Sequence, residues 1–294
     1  MNIQIDFEAI DRLRKGKRET RAVRSRALFR DLARASPQLK RVLAEGDSWF
    51  AYPPKFIWFG GANNVVDWLK KDYGNQFLLD DLSSNGDEAV AMLSGDSKLE
   101  MLRRLNEDHF DILLFSGGGN DIVGRFDFDY FLLPKTATNT WQDCINYSRF
   151  ERRLKQIQLA YADLVELTLQ YSANPDIRIL THTYDLAIPS KEGATFFGGL
   201  LQIDGGRSWM YPYLVDKGIT GFADQKAIVH HLLTEFKTAM QQVAADCRGA
   251  LLVIDTHHTV KANEWLNEIH PNSQGFHKVA QKIYEQGIKP LLSG

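Results

Sequence analysis

Apolar residues fall along this chain in two alternating spacings. Short unbroken runs such as Val42-Leu43-Ala44, Ile112-Leu113-Leu114-Phe115 and Leu251-Leu252-Val253-Ile254 have the length and continuity of strands buried on both faces of a parallel sheet. Between them lie longer stretches whose apolar positions recur every three or four residues, the period of an amphipathic helix. The pattern predicts strands over 41–44, 76–82, 112–115, 177–181 and 251–254. Helices are expected over 62–71, 87–106, 148–170, 224–245 and 273–286.

Strands that alternate with crossover helices predict an α/β fold: a three-layer α/β/α sandwich around a five-stranded parallel sheet, of flavodoxin-like type. Functional groups in such folds gather beyond the C-terminal ends of the strands. Ser48 follows the first predicted strand, Gly86 the second and Asn120 the third, and His270 lies in the loop beyond the fifth. Residues 1–40 precede this domain, which runs over 41–294. Between Asp11 and Arg41 there are twelve Arg or Lys and three acids, which makes the segment a basic arm or helix. Its two readings are contact with an anionic surface and a solvated helix packed by one weak face; Gly16 and the poor apolar periodicity favour the second. Two connections, 125–147 and 187–223, are long and rich in aromatics. They are expected either to wall an apolar acyl pocket or to form satellite cores beneath their own loops.

The 294 residues, 44% of them apolar and 24% charged, suffice for one substantial core. A formal net charge of -2 supplies no global attraction to nucleic acid, so no nucleic-acid partner is expected. Two cysteines, Cys144 and Cys247, exclude a disulfide scaffold and a Cys-rich zinc site. No apolar run reaches the roughly 18 residues of a membrane span, and residues 1–6 carry no basic-then-apolar leader. The expected location is therefore cytoplasmic, with signal-independent export left open and no transmembrane segment.

Candidate chemistry sits in four segments. Gly46-Asp47-Ser48 places a hydroxyl at a tight strand-to-loop turn, where acyl transfer would want its nucleophile. Leu82-Ser83-Ser84-Asn85-Gly86-Asp87-Glu88 opens a helix with two acids. Its backbone N–H groups suit an anion, although an ordinary strand-to-helix turn would look the same. In Ser116-Gly117-Gly118-Gly119-Asn120-Asp121 the glycines permit close backbone approach and Asn120 offers an NH2. Neither the P-loop Lys-Ser/Thr nor the dinucleotide glycine spacing is present, so Asn120 is read as an oxyanion donor. In Asn267-Glu268-Ile269-His270-Pro271-Asn272-Ser273, Pro271 stiffens the loop and Asn272 or Ser273 caps the last helix, which would hold His270 as a base. The pair His257-His258 after Asp255 admits a metal site only weakly, and His182 is a candidate cleft residue.

Together these four segments resemble the blocks of the SGNH hydrolases, the GDSL-type esterases and lipases, over about 42–286. The resemblance implies Ser48 as nucleophile and first oxyanion donor, Gly86 and Asn120 as the other donors, and His270 as base. It further implies an acyl-enzyme intermediate and no metal or organic cofactor. The family usually has Asp three residues before the histidine; here that position is Asn267, which is expected to orient the ring through its carbonyl, with Glu268, Asp255 or a backbone carbonyl as substitutes. The expected function is that of a serine esterase or lipase acting on a small-molecule or lipid acyl ester. The alternatives are a carbohydrate O-acetyl esterase and a catalytically weak or silent binding protein that keeps the fold.

Overall fold

The computed structural model describes residues 26–52, 63–83, 89, 93, 95–191, 195–196, 201–202 and 208–292. Its centre is a parallel sheet of five strands: β1 (Lys40–Gly46), β2 (Phe77–Asp81), β3 (Ile112–Ser116), β4 (Arg178–His182) and β7 (Leu251–Ile254). They are ordered β2-β1-β3-β4-β7. Two short strands, β5 (Thr195–Phe196) and β6 (Leu201–Gln202), form a separate antiparallel pair. Val42, Leu43 and Ala44 of β1 and Leu113, Leu114 and Phe115 of β3 are wholly buried. That is why these strands read as continuous apolar runs rather than as alternating ones.

Helices cover both faces. Val65–Tyr73 packs against Ser273–Ile283 on one side, and Gly95–Glu107, Tyr147–Tyr171 and Phe222–Asp246 pack in sequence on the other. The three-layer flavodoxin-like α/β architecture expected from the sequence is the one observed, and each predicted strand and helix has its counterpart. Boundaries move for local reasons: the helix expected from residue 62 starts at Val65 because Asn64 caps it, accepting from Asp67 N at 2.9 Å. The start of the helix expected over 87–106 lies outside the described residues, and its described part runs from Gly95 to Glu107. Three short helices, Gly119–Val123, Arg125–Phe131 and Tyr211–Asp216, occupy stretches that the sequence pattern leaves as loop.

Residues 26–35 form a helix at the edge of the domain. Phe29 stacks on Phe110 at 5.3 Å, and Arg26 and Arg30 pair with Asp108 and Glu107. This end of the basic segment is thus packed by one face, with two of its cations matched by acids of the domain. Residues 11–25 lie outside the described residues. Among the described residues no helix is long and apolar enough to cross a membrane. Cys144 and Cys247 are free thiols.

The strand order reverses between β1 and β3, which pair on opposite sides with β2 and β4. Two neighbouring strands whose connections leave in opposite directions open a crevice at their C-terminal ends, the usual ligand position in open α/β sheets. The turns after β1 and β3 carry Ser48 and Asn120.

Candidate active site

Strand β1 ends at Gly46, whose missing side chain leaves room for Phe50 and Ser116; a Cβ there would meet Phe50 Cδ2 and Ser116 Cβ at 2.8 Å. Asp47 then caps a single helical turn, Ser48–Ala51, by accepting from Trp49 N at 3.0 Å. Ser48 is the first residue of that turn, so its N–H has no acceptor within the helix. On the far side, the loop before the last helix closes on itself: Leu266 N donates to the His270 carbonyl at 2.9 Å and Asn272 N to the Glu264 carbonyl at 2.7 Å. Asn272 caps the helix Ser273–Ile283, accepting from Gln274 N and Gly275 N. Trp49 Nε1 ties the two loops together by donating to the Ile269 carbonyl at 3.1 Å.

The result brings His270 Nε2 to 2.8 Å from Ser48 Oγ, with both side chains buried. Tyr52 stacks on the imidazole at 3.9 Å and Trp209 meets it edge-on at 6.5 Å. Burial pushes the His270 pKa down to about 3, which keeps the ring neutral. Asn120 borders the same cleft as Ser48, together with Val123, Leu233 and Ile269. Gly86 lies outside the described residues. The glycines before Asn120 serve protein packing: Gly118 has a φ of 106°, and a Cβ on Gly119 would lie 2.7 Å from the Tyr184 ring. Tyr161 fixes this turn by donating to the Gly117 carbonyl at 2.7 Å.

The residues around the imidazole differ from the sequence expectation in one respect. Asn267 stands beside His270, but its carbonyl accepts from Ile269 N at 3.0 Å and His270 N at 2.7 Å. The atom facing His270 Nδ1, at 3.1 Å, is the amide nitrogen. Neither carboxylate substitute reaches the ring. Glu268 is fully buried and turns away to accept from the backbone N–H groups of Ser190, Trp209, Met210 and Tyr211. Asp255 pairs with Lys237. The two histidines after Asp255 complete no group of three metal-ligating side chains among the described residues. His258 N, Thr259 N and Val260 N instead donate to Asp185, which shapes that loop.

A second buried cluster lies directly behind Ser48 and has no counterpart in the sequence reading. Ser116 Oγ is 3.0 Å from Asp47 Oδ1 and 2.9 Å from His182 Nε2, while Tyr184 donates to Asp47 Oδ2. His182 is therefore a wall behind the cleft. Its Nδ1 lies 2.8 Å from the Thr183 carbonyl, which only accepts, so a ring proton sits on Nδ1 and Nε2 faces the Ser116 hydroxyl. Asp47 accepts from the Ser116 hydroxyl and from Trp49 N on Oδ1 and from Tyr184 on Oδ2. Burial pushes Asp47 up to about 7 and His182 down to about 4. The signal that would have found the cluster is positional: Ser116 and His182 are the last residues of β3 and β4.

The aromatics of 125–147 divide, with Phe128 and Phe131 in the core and Tyr130 and Tyr147 exposed. Phe128 and Phe131 are wholly buried, with Phe131 edge-on to Phe150 at 5.4 Å. From 187–223 it is Trp209 that reaches the imidazole, while 192–194, 197–200 and 203–207 lie outside the described residues.

No family model matches the chain, and no curated protein matches it in sequence. Solved structures do resemble it. An extracellular lipase from Streptomyces rimosus is 14% identical with a TM-score of 0.49, over 86% of this chain and 98% of the lipase. A protein from Slackia heliotrinireducens, assigned provisionally to the SGNH hydrolases, is 14% identical with a TM-score of 0.45, over 84% and 98%. An acetylxylan esterase from Geobacillus stearothermophilus, solved as a catalytic mutant, is 14% identical with a TM-score of 0.46, over 84% and 93%. These are likenesses of chain path; the chemistry rests on the side chains.

Proposed function

We propose that this chain is a serine hydrolase of carboxylic esters, an esterase or lipase, in which Ser48 is the nucleophile and His270 the base. The observation that carries the reading is the 2.8 Å contact between Ser48 Oγ and His270 Nε2 at the C-terminal edge of the sheet. Attack forms a bond from Oγ to the acyl carbon, and the Oγ proton passes to Nε2. The carbonyl oxygen takes up the electron pair and is met by the Ser48 N–H and the Asn120 NH2, with Gly86 N–H as the third donor by resemblance. Collapse breaks the bond to the alcohol oxygen, which leaves with the proton from Nε2. Water then repeats the sequence on the acyl-enzyme and releases the acid. No metal or organic cofactor enters any step.

A second reading, a binding protein with weak turnover, is favoured by one observation: the group facing His270 Nδ1 is an amide N–H and not a carboxylate. The two separate on labelling with a fluorophosphonate and on release of p-nitrophenol from acetate, butyrate, octanoate and palmitate esters. Labelling and turnover that disappear in Ser48→Ala are expected of the hydrolase, and the chain-length profile distinguishes an esterase from a lipase. Neither signal in the unaltered protein would leave the binding reading.

A further inference from the structure

A base for Ser48 must present a bare nitrogen to the hydroxyl, so the single proton of neutral imidazole has to sit on Nδ1. The surroundings of His270 dictate the opposite. The Asn267 side chain has one acceptor and one donor end. Its oxygen lies 3.0 Å from Ile269 N and 2.7 Å from His270 N, both of which can only donate. Turning the amide over would set its NH2 against those two N–H groups, leaving both without an acceptor in a buried loop. The oxygen is therefore fixed on the backbone side, and the NH2 is fixed on Nδ1 at 3.1 Å. A nitrogen that receives an N–H is unprotonated, so the ring proton resides on Nε2 and points at Ser48 Oγ, 2.8 Å away. Among the described residues no neighbour offers a way out: Tyr52 and Trp209 meet the imidazole by ring contacts, and the Glu268 carboxylate accepts from four backbone N–H groups.

We infer that Asn267 is a positioning residue that locks His270 in the Nε2–H tautomer and holds the hydrolase in a low-turnover state, which a carboxylate at this one position releases. The inference rests on the assignment of Ser48 and His270 to ester hydrolysis. An aspartate fits without moving the loop: one oxygen accepts from the Ile269 and His270 N–H groups, and the other accepts from Nδ1–H. That transfers the ring proton to Nδ1 and bares Nε2 toward Ser48. Where a catalytic triad loses its carboxylate to an amide, the wrong tautomer lowers turnover by about 10⁴-fold. The reverse change here is expected to raise it by at least about 100-fold.

The test compares the full-length protein with Asn267→Asp and with the double variant Ser48→Ala/Asn267→Asp, using p-nitrophenyl acetate and a fluorophosphonate. Side-chain ¹⁵N spectra of the histidines accompany the kinetics, with the His270 signals identified by their loss in His270→Gln. The expected result is a proton on Nε2 of His270 in the unaltered protein and on Nδ1 in Asn267→Asp, with turnover rising in that variant and vanishing in the double variant. A proton on Nδ1 in the unaltered protein overturns the lock, and this spectrum decides the point even if Asn267→Asp fails to fold. Equal, Ser48-dependent turnover in both proteins despite a switched ring also overturns it, while leaving the hydrolase assignment intact. Absence of Ser48 labelling in both proteins would remove the hydrolase assignment instead, and the tautomer read from the spectra would stand on its own.

Discussion

At the scale of single residues the site turns on what faces each nitrogen of His270. Burial alone depresses this ring, to about 3, and no charged side chain among the described residues offsets that. A base that stays neutral down to such a value imposes no acid limb on the rate near neutrality. Introducing aspartate at 267 places a negative charge at hydrogen-bond distance from Nδ1, which favours the imidazolium and raises the ring pKa toward its ordinary 6.5 or above. The pH profile of kcat/KM should therefore differ in shape as well as height. It should be flat through pH 5 to 7 in the unaltered protein and fall on the acid side in Asn267→Asp. A profile of the same shape in both proteins would show that the carboxylate does not couple to the ring.

At the scale of elements, the loop that carries His270 also anchors the long connection over 187–223. Glu268 lies at the start of the helix Tyr211–Asp216, accepting from Met210 N at 2.7 Å and Tyr211 N at 2.9 Å, and reaches back to Ser190 N at 3.0 Å. One buried carboxylate thus satisfies donors near the start of the connection and at the N-terminus of a helix within it. Glu268→Ala would remove the carboxylate that the Met210 and Tyr211 N–H groups donate to and should destabilise the protein by about 3 kcal/mol or more in urea unfolding. Glu268→Gln keeps one accepting oxygen and should cost less; equal losses would mean that the bonds are not what anchors the loop. This role also shows where the sequence stops being legible. Strands and long helices could be read because burial on both faces or on one leaves a periodic apolar trace, and the places of Ser48, Asn120 and His270 follow once the strands are placed. The directions of side chains in an irregular loop leave no such trace. Asn267 and Glu268 are neighbours in sequence, yet one faces the imidazole and the other faces away, a choice made by backbone N–H groups that no residue code announces. The cluster of Asp47, Ser116, His182 and Tyr184 was hidden for a related reason, because its members meet only when β1, β3 and β4 are side by side.

At the scale of the whole molecule, the buried titratable groups of the site set a balance between acid and neutral stability. For His270 the folded pKa of about 3 lies below the ordinary 6.5, so between these values the folded chain binds fewer protons than the unfolded one. Its contribution is complete above about 6.5 and is lost as the pH falls. Asp47, raised from 3.8 to about 7, has the opposite sign: its contribution is complete below about 4 and is lost as the pH rises through 7. Across pH 4 to 6.5 the two oppose one another, so removing either should expose the other. His270→Gln replaces the ring by a neutral group and abolishes only the acid penalty. Relative to the unaltered protein, this variant should gain about 2 kcal/mol when the pH is lowered from 7.5 to 5, measured by urea unfolding at both values. A difference that does not change with pH would mean that the ring takes up its proton inside the fold. That would require an acceptor at Nδ1, where the structure places the NH2 of Asn267, so the acid stability of the molecule and the orientation of one amide are read by the same measurement.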